Sequence, residues 1–543
     1  MDGQKVPLFG GVWAIFGHGN VPALGEALHS HRAELPTFRG HNEQAMVHAA
    51  SGFAKQSRRH RMMVCTSSVG PGASNMVTGV ATAFVNRLPV LVLPGDTFAH
   101  RASAPVLQEV ESLSDGTVNV NDSFRPISAY FDRFTKPEQI ITALPRAISI
   151  LTDPELCGPV TLCLPQDVQA ESYDYPDYLF EEKIHQPLRS GADPRQLDEV
   201  ASMIKGSKRP VVIAGGGVHY SGACDALAAF AETHKVPVVE TSAGKGALPY
   251  SHAWNAGGVG VVGVHSANTL VREADLLITV GTRLSDFTTG SRTIISNART
   301  PQININVAHL DAYKHAAIGL RSDALRAFDE LAPRLKGWQS ASGYAERVNT
   351  LRQEWQVMVD DALKPSNQPL PSDAKVTEVL NEVADHSKDV MVVAAGSMPS
   401  EGVKLWRCEH SKGYHSEYGF SCMGYEIPAG IGVKMADPEA NVFVVVGDGT
   451  YLMMNSEILS SVMLGQKLIL LVLDNRGFGC INRLQSACGA DPFNNLWDDG
   501  THVQGEAPKV DFAAHAAALG AMTENVSSLS ELKPALQRAI AAD

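Results

Sequence analysis

Val442-Phe443-Val444-Val445-Val446-Gly447-Asp448-Gly449-Thr450 is an unbroken apolar run that stops on Gly-Asp-Gly. It does not alternate apolar with polar, so it reads as a strand buried on both faces, the mark of a parallel sheet covered by helices. A second such run, Leu468 to Leu473, ends in Asp474-Asn475-Arg476-Gly477, with Asn475 standing 27 residues after Asp448. Two parallel strands joined by a helix bring their carboxyl ends to one sheet edge. Asp448 and Asn475 are therefore expected to be neighbours. Gly-Asp-Gly alone is most often an ordinary strand-to-helix turn; the paired Asn after a second buried strand makes it a candidate site. The Asp448 carboxylate, the Asn475 amide oxygen and the backbone carbonyl of Gly477 make three hard oxygen ligands. Such a set suits Mg2+, which leaves its other positions to water and phosphate oxygens. Gly447, Gly449 and Thr450 surround the start of the next helix, where an anion is favoured. The segment reads as a holder for a diphosphate through Mg2+.

The same kind of run recurs at Met62–Cys65, Val90–Leu93, Val211–Ile213, Leu276–Val280 and Met391–Val393, alternating with longer helical patterns. The class is α/β, and 543 residues suggest three or four domains. Two stretches read as linkers. Residues 172–195 are rich in charge, Pro and Tyr, and residues 364–372 hold three prolines in nine positions. They leave blocks of about 1–171, 196–345 and 373–543, with no short-period repeat. In the middle block Val211 to Gly217 is a strand running into glycines. Tyr220 stands where the last glycine of a dinucleotide fingerprint belongs. A structural Rossmann-like module is expected there, and FAD is not.

Composition narrows the function classes. With 44% hydrophobic and 19% charged residues, the chain is neither disordered, collagen-like nor a coiled coil. A net charge of −13 argues against nucleic acid or an anionic membrane as partner. The densest basic block, Arg58-Arg59-His60-Arg61, is short and reads as a solvated turn. The eight cysteines form no CxxC pair and are too sparse for a disulfide scaffold. No run approaches the ~18 apolar residues of a membrane span, and Met1 to Lys5 lacks the centre of a signal peptide. A soluble, cytoplasmic protein acting on a small molecule is expected.

Gly-Asp-Gly followed at this distance by an Asn-Asn pair resembles the fingerprint of thiamine diphosphate (ThDP) enzymes. Here the pair is Asp474-Asn475: the first position departs and the metal-binding one is kept. The resemblance implies three Rossmann-like domains with parallel sheets, namely pyrimidine-binding (1–171), central (196–345) and diphosphate-binding (373–543). It also implies a carboxylate against N1′ of the aminopyrimidine ring. In His41-Asn42-Glu43-Gln44-Ala45-Met46-Val47-His48 that residue is Glu43, followed by Thr66 to Asn75 as in acetohydroxyacid synthases. Taken alone, Glu43 is as easily a helix N-terminal charge. Gly419 to Gly430 resembles the segment that bends the cofactor. Met423 would be the apolar prop, which alone would read as core packing. The Ser421 carbonyl, at a position where many relatives have Gly, would accept from the 4′-amino group. Gly396-Ser397-Met398 would close over the diphosphate. Sites of this superfamily are usually shared between subunits, so a homodimer or homotetramer is expected.

Several segments are narrower still. Ile15 to Val21, Asn42 to His48, Asn121 to Ser128, Leu164 to Gln169, Gly447 to Ile458 and Asp474 to Asn482 resemble the trihydroxycyclohexane-1,2-dione hydrolases of myo-inositol catabolism. That family opens a cyclic 1,2-diketone with water to 5-deoxyglucuronic acid. His18 and Asn20, in the Gly-rich loop before the first long helix, are candidates for moving protons and placing water. His18 is equally readable as a turn histidine. His41 is open in the same way, and Asn121 to Arg125 would supply hydrogen bonds to a hydroxylated ring. Two alternatives stand: a 2-oxo acid carboligase or decarboxylase similar to acetohydroxyacid synthase, and a truncated non-catalytic paralogue. The second arises because Met1 lies only fifteen residues before Phe16. A preceding helix, and the usual tail after residue 543, are expected to be missing.

Overall fold

Each continuous apolar run folds as a strand with parallel neighbours. The structure is a computed structural model and describes residues 4–295, 300–365, 370–500 and 507–542. The first three residues, the centre of the Pro-rich stretch 364–372 and the last residue of the third block lie outside the described residues. Contacts group the chain into two units: Met1–Leu188 with Gly419–Thr523, and Arg189–Tyr418 with Glu524–Asp543. The passage from Leu188 to Arg189 falls within the charged stretch 172–195. Among the described residues no helix is long and apolar enough to cross a membrane, and the eight cysteines form no disulfide.

The first unit opens with six strands: β1 (Phe9–Ala14), β2 (Thr37–Arg39), β3 (Met62–Ser67), β4 (Val90–Asp96), β5 (Tyr130–Arg133) and β6 (Val160–Pro165). They form a parallel sheet in the order β2-β1-β3-β4-β6-β5. β3 is buried at every position, as its unbroken apolar character requires. The winding reverses at β1, which has β2 on one side and β3 on the other. Loops leaving the carboxyl ends of strands at such a reversal converge on a crevice, the usual ligand position of an open α/β sheet. Those loops carry His18 and Asn20 after β1, Glu43 after β2 and Ser68 to Asn75 after β3.

The second unit holds β7 (Pro210–Ala214), β8 (Val238–Glu240), β9 (Asn255–Gly258), β10 (Leu276–Val280), β11 (Gln302–Asn306) and β12 (Ile318–Arg321). They are parallel in the order β12-β11-β10-β7-β8-β9. The glycines after β7 serve backbone packing: a Cβ on Gly217 would lie 2.6 Å from the Cα of Gly281, in the turn after β10. Two crossover turns thus touch through bare backbone. β13 (Val390–Val393) and β14 (Tyr414–Ser416) pair in parallel in the same unit.

The chain then re-enters the first unit with β15 (Val442–Gly447) and β16 (Ile469–Leu473), parallel, with Gly447 opposite Leu473. There the helices Glu43–Gln56 and Glu426–Ala436 pack backbone to backbone. A Cβ on Gly432 would lie 1.9 Å from the Ala49 carbonyl oxygen, and one on Gly52 would lie 2.4 Å from that of Ala429. An unhindered helical glycine gains about 1 kcal/mol on changing to alanine. Here the sign reverses, because no flexible side chain can yield. Gly432→Ala is expected to cost about 1–3 kcal/mol or more in urea unfolding. A stabilised variant would show that the helices separate freely.

Candidate active site

β15 ends at Gly447, which stays extended and caps the helix Asp448–Met454. Asp448 is fully buried. Its carboxylate accepts the backbone N–H of Gly477 at 2.6 Å and, more loosely, that of Asn475 at 3.4 Å. Burial pushes this carboxyl above the usual carboxylate range, and the N–H of Gly477 pulls it partly back. Gly449 has no room for a side chain: a Cβ there would lie 2.7 Å from the Phe478 ring and 3.5 Å from the Gly477 carbonyl oxygen. That carbonyl therefore faces the Asp448 turn. The Asn475 amide oxygen accepts the N–H of Gly479 at 3.2 Å. Asp448, Asn475 and Gly477 are thus brought onto two adjoining turns at the carboxyl ends of β15 and β16, with Thr450 buried behind them.

This donor set fits a hard cation. It offers one desolvated carboxylate oriented by backbone N–H groups, one amide oxygen and one main-chain carbonyl, and a cation held this way brings anionic ligands of its own. Among the described residues no three His, Cys, Asp or Glu side chains cluster as a metal site. A set containing a single carboxylate agrees with that.

Glu43 is the first residue of its helix, whose N-cap Asn42 accepts the N–H of Ala45. The Glu43 carboxylate accepts from the Asn75 side-chain amide at 2.7 Å, and its other oxygen faces Gly72, 3.2 Å from where a Cβ would stand. The approach to this helix is fixed from the Glu457–Met463 helix. The buried Glu457 carboxylate accepts the N–H of His41 at 3.2 Å, and the His41 Nδ1 lies 2.8 Å from the Ser460 hydroxyl. Burial raises the Glu457 carboxyl, opposed by Ser460 and the N–H groups of His41 and Asn42. His41 is lowered by burial and by Arg39, and its ring is engaged by Ser460.

Ser421 adopts a φ of 52°, a backbone conformation that favours glycine. Strain of this kind collects at functional turns. Met423 is half-buried. The adjacent Gly424 packs on the Asp448 helix, where a Cβ would meet Met454 at 2.7 Å. Cys422 lies 3.7 Å from both the Gln44 amide and the His48 Nε2, so this segment also touches the Glu43 helix. His48 is fully buried, and burial alone lowers its pKa to about 3, which keeps it neutral.

The loop candidates separate. Asn20 is fully buried, and its amide closes the loop on itself. It accepts the N–H of Gly17 at 2.9 Å and donates to the Ile15 carbonyl at 3.1 Å and to the Thr66 hydroxyl at 3.3 Å. His18 is exposed, and its carbonyl accepts the N–H of Val69 at 2.8 Å. In the 121–125 segment Asn121 donates to the Gly95 carbonyl, and Asp122 pairs with Arg125 and Arg133. Gly396 and Ser397 stand in the second unit. Gly396 is exposed with a φ of 83°, and the Ser397 hydroxyl donates to Asp373 at 2.6 Å.

Sequence reasoning assigned no role to Asn75, Glu457, Ser460, His48 and Cys422, although all but Ser460 sit inside stretches it quoted. Their partners lie hundreds of residues away in most cases, and no spacing rule reveals such pairs.

Three family models match the chain: the thiamine pyrophosphate enzyme N-terminal TPP binding domain over residues 11–115, its central domain over 197–331, and its C-terminal TPP binding domain over 394–543. Among curated proteins the chain is 41% identical to a 3D-(3,5/4)-trihydroxycyclohexane-1,2-dione hydrolase of Bacillus thuringiensis (strain Al Hakam). That match covers 98% of this chain and 87% of the relative. It is likewise 41% identical to a 3D-(3,5/4)-trihydroxycyclohexane-1,2-dione hydrolase of Bacillus anthracis, over 98% of this chain and 87% of the relative.

Proposed function

The chain belongs to the thiamine pyrophosphate enzymes, and within them to the trihydroxycyclohexane-1,2-dione hydrolases; from that premise we propose that it binds ThDP through Mg2+ and hydrolyses the C–C bond between the two carbonyls of the cyclic dione. The product is 5-deoxyglucuronic acid, in myo-inositol degradation. The observation that carries the cofactor reading is the Asp448 turn, a buried carboxylate beside an Asn amide and a main-chain carbonyl. The choice of substrate follows the relatives' names.

When bound, ThDP supplies a carbon that attacks a ketone and takes up the electron pair of the breaking bond. The chain's residues do the rest. Asp448, Asn475 and the Gly477 carbonyl would hold Mg2+, and the backbone around Gly447, Gly449 and Thr450 would take the diphosphate oxygens. In the second unit the Gly396-Ser397 turn would offer backbone N–H groups to an anion. The Ser421 carbonyl would accept from the 4′-amino group, and Met423 would be the apolar prop. Glu43, fixed by Asn75, takes and returns the proton at N1′. His18 stands free in the substrate loop to exchange protons with the hydroxylated ring, and Asn20 keeps that loop closed so that His18 faces outward. The three-block division into pyrimidine-binding, central and diphosphate-binding domains belongs to the same proposal.

We further propose a homodimer or homotetramer with sites shared between subunits. Leu452, Met453, Val462 and Met463, on the two helices that follow Asp448, remain about half-exposed. Large apolar side chains left exposed in this way favour burial against a second copy.

Incubation with the cyclic dione and, separately, with pyruvate tests the substrate. The expected result is an acid product from the dione and no CO2 from pyruvate. CO2 from pyruvate with the dione untouched would make the chain a 2-oxo acid decarboxylase or carboligase.

A further inference from the structure

A cavity of about 430 Å3 opens in the second unit at the edge of its sheet. Its walls come from the end of β8, the turn after it, the edge strand β9, the helix Tyr344–Leu363 and the helix Met398–Leu405. No residue of the ThDP reading lines it.

The floor carries two buried charges. Lys245 is 7% exposed and Glu240 is 3% exposed. The Lys245 ammonium donates to the Val403 carbonyl at 3.1 Å. It has two further N–H groups; the Tyr414 ring centroid lies 5.8 Å from it, and among the described residues it makes no second hydrogen bond. Glu240 accepts the N–H of Leu248 at 3.0 Å, has the Gly246 N–H and the Asn255 side-chain amide as further donors, and attracts Lys245 without meeting it in an ion pair. Burial raises the carboxyl and lowers the ammonium. A buried cation and anion that do not touch are costly unless a polar group lies between them. A hydroxyl both accepts and donates, so ligand hydroxyls can take the open ammonium N–H groups of Lys245 and donate to the remaining lone pair of Glu240.

The mouth has a different character. Arg352 is half-buried and donates to the Ala253 carbonyl at 2.7 Å. Among the described residues it has no carboxylate partner, and its remaining N–H groups form a fork suited to a carboxylate. Trp355, three residues further along the same helix, gives an aromatic wall for the C–H face of a sugar-like chain.

We propose that this cavity binds a small polyhydroxylated carboxylate of the sugar-acid class, with hydroxyls bridging Lys245 and Glu240 and the carboxylate on Arg352. The proposal is independent of the catalytic reading. The test is calorimetric titration of the ThDP- and Mg2+-loaded protein with D-gluconate and D-glucuronate, with myo-inositol and acetate as controls. At least one acid is expected to bind at about 1 mM or tighter, and the two controls at least tenfold more weakly. Arg352→Gln should weaken the acid at least tenfold. Asn349→Glu, on the exposed rim one helical turn before Arg352, should do the same by occupying the guanidinium, in a position where folding is not at stake. Absence of binding by both acids, equal binding of a control, or acid binding unchanged in Asn349→Glu would overturn the assignment; the last result would put the ligand elsewhere.

Discussion

Glu43→Gln is expected to keep ThDP bound and to lose about 10²–10⁴-fold in turnover, the range set by removal of a positioned acid–base group. Glutamine keeps the size of the side chain and an oxygen for the Asn75 amide, which donates at 2.7 Å. The helix start is held separately, by Asn42 on the Ala45 N–H and by Glu457 on the His41 N–H. The fold and the loop should therefore survive, and only the proton at N1′ loses its partner. Calorimetry of ThDP binding beside a turnover assay separates these effects. Near-normal turnover in the ThDP-loaded variant would remove Glu43 from the mechanism.

The same variant tests the shared site. Mixed with an Asp448→Ala partner and allowed to exchange subunits, a dimer with shared sites regenerates one intact site per mixed pair. The mixture should recover about a quarter of wild-type activity from two inactive parents. Sites built within one chain would recover none, provided subunit exchange is verified with a tag.

What the sequence made legible, and what it did not, divides along a physical line. Continuous β-branched runs mark strands buried on both faces, because such a strand has no polar side to show. Val442 to Val446 and Leu468 to Leu473 became β15 and β16, and their parallel pairing put Asp448 beside Asn475 and Gly477 without further information. The loops were less legible. His18 and Asn20 look equivalent as polar residues in a Gly-rich turn, yet one is exposed and the other fully buried, with its amide consumed by the loop. Only the path of the backbone decides which. The partners that orient Glu43 and His41, namely Asn75, Glu457 and Ser460, were hidden for the same reason. Each is an ordinary polar residue until the fold brings it into contact. The triple glycine after Ile213 points the opposite way. Read as a nucleotide loop it falls short of the fingerprint, and its glycines are accounted for by the approach of Gly217 to Gly281.

Asp448→Ala should weaken metal-dependent ThDP binding by more than about 100-fold, since loss of groups that merely support a metal ligand already costs 10–100-fold. The side chain also has a structural task, because its carboxylate takes the N–H groups of Gly477 and Asn475 in a buried turn. Leaving those donors unpaired costs about 1–3 kcal/mol each, so the alanine variant is expected to be less stable as well as inactive. Asp448→Asn separates the two roles. It keeps an oxygen for the Gly477 N–H, preserving the turn, but removes the charge that a divalent cation needs in a site otherwise made of neutral oxygens. The expected outcome is a melting temperature close to wild type with ThDP binding that no longer responds to Mg2+. If the asparagine variant bound ThDP as tightly as wild type, with the same Mg2+ dependence, Asp448 would be a structural cap of the Gly477 turn and the metal would have to be sought elsewhere.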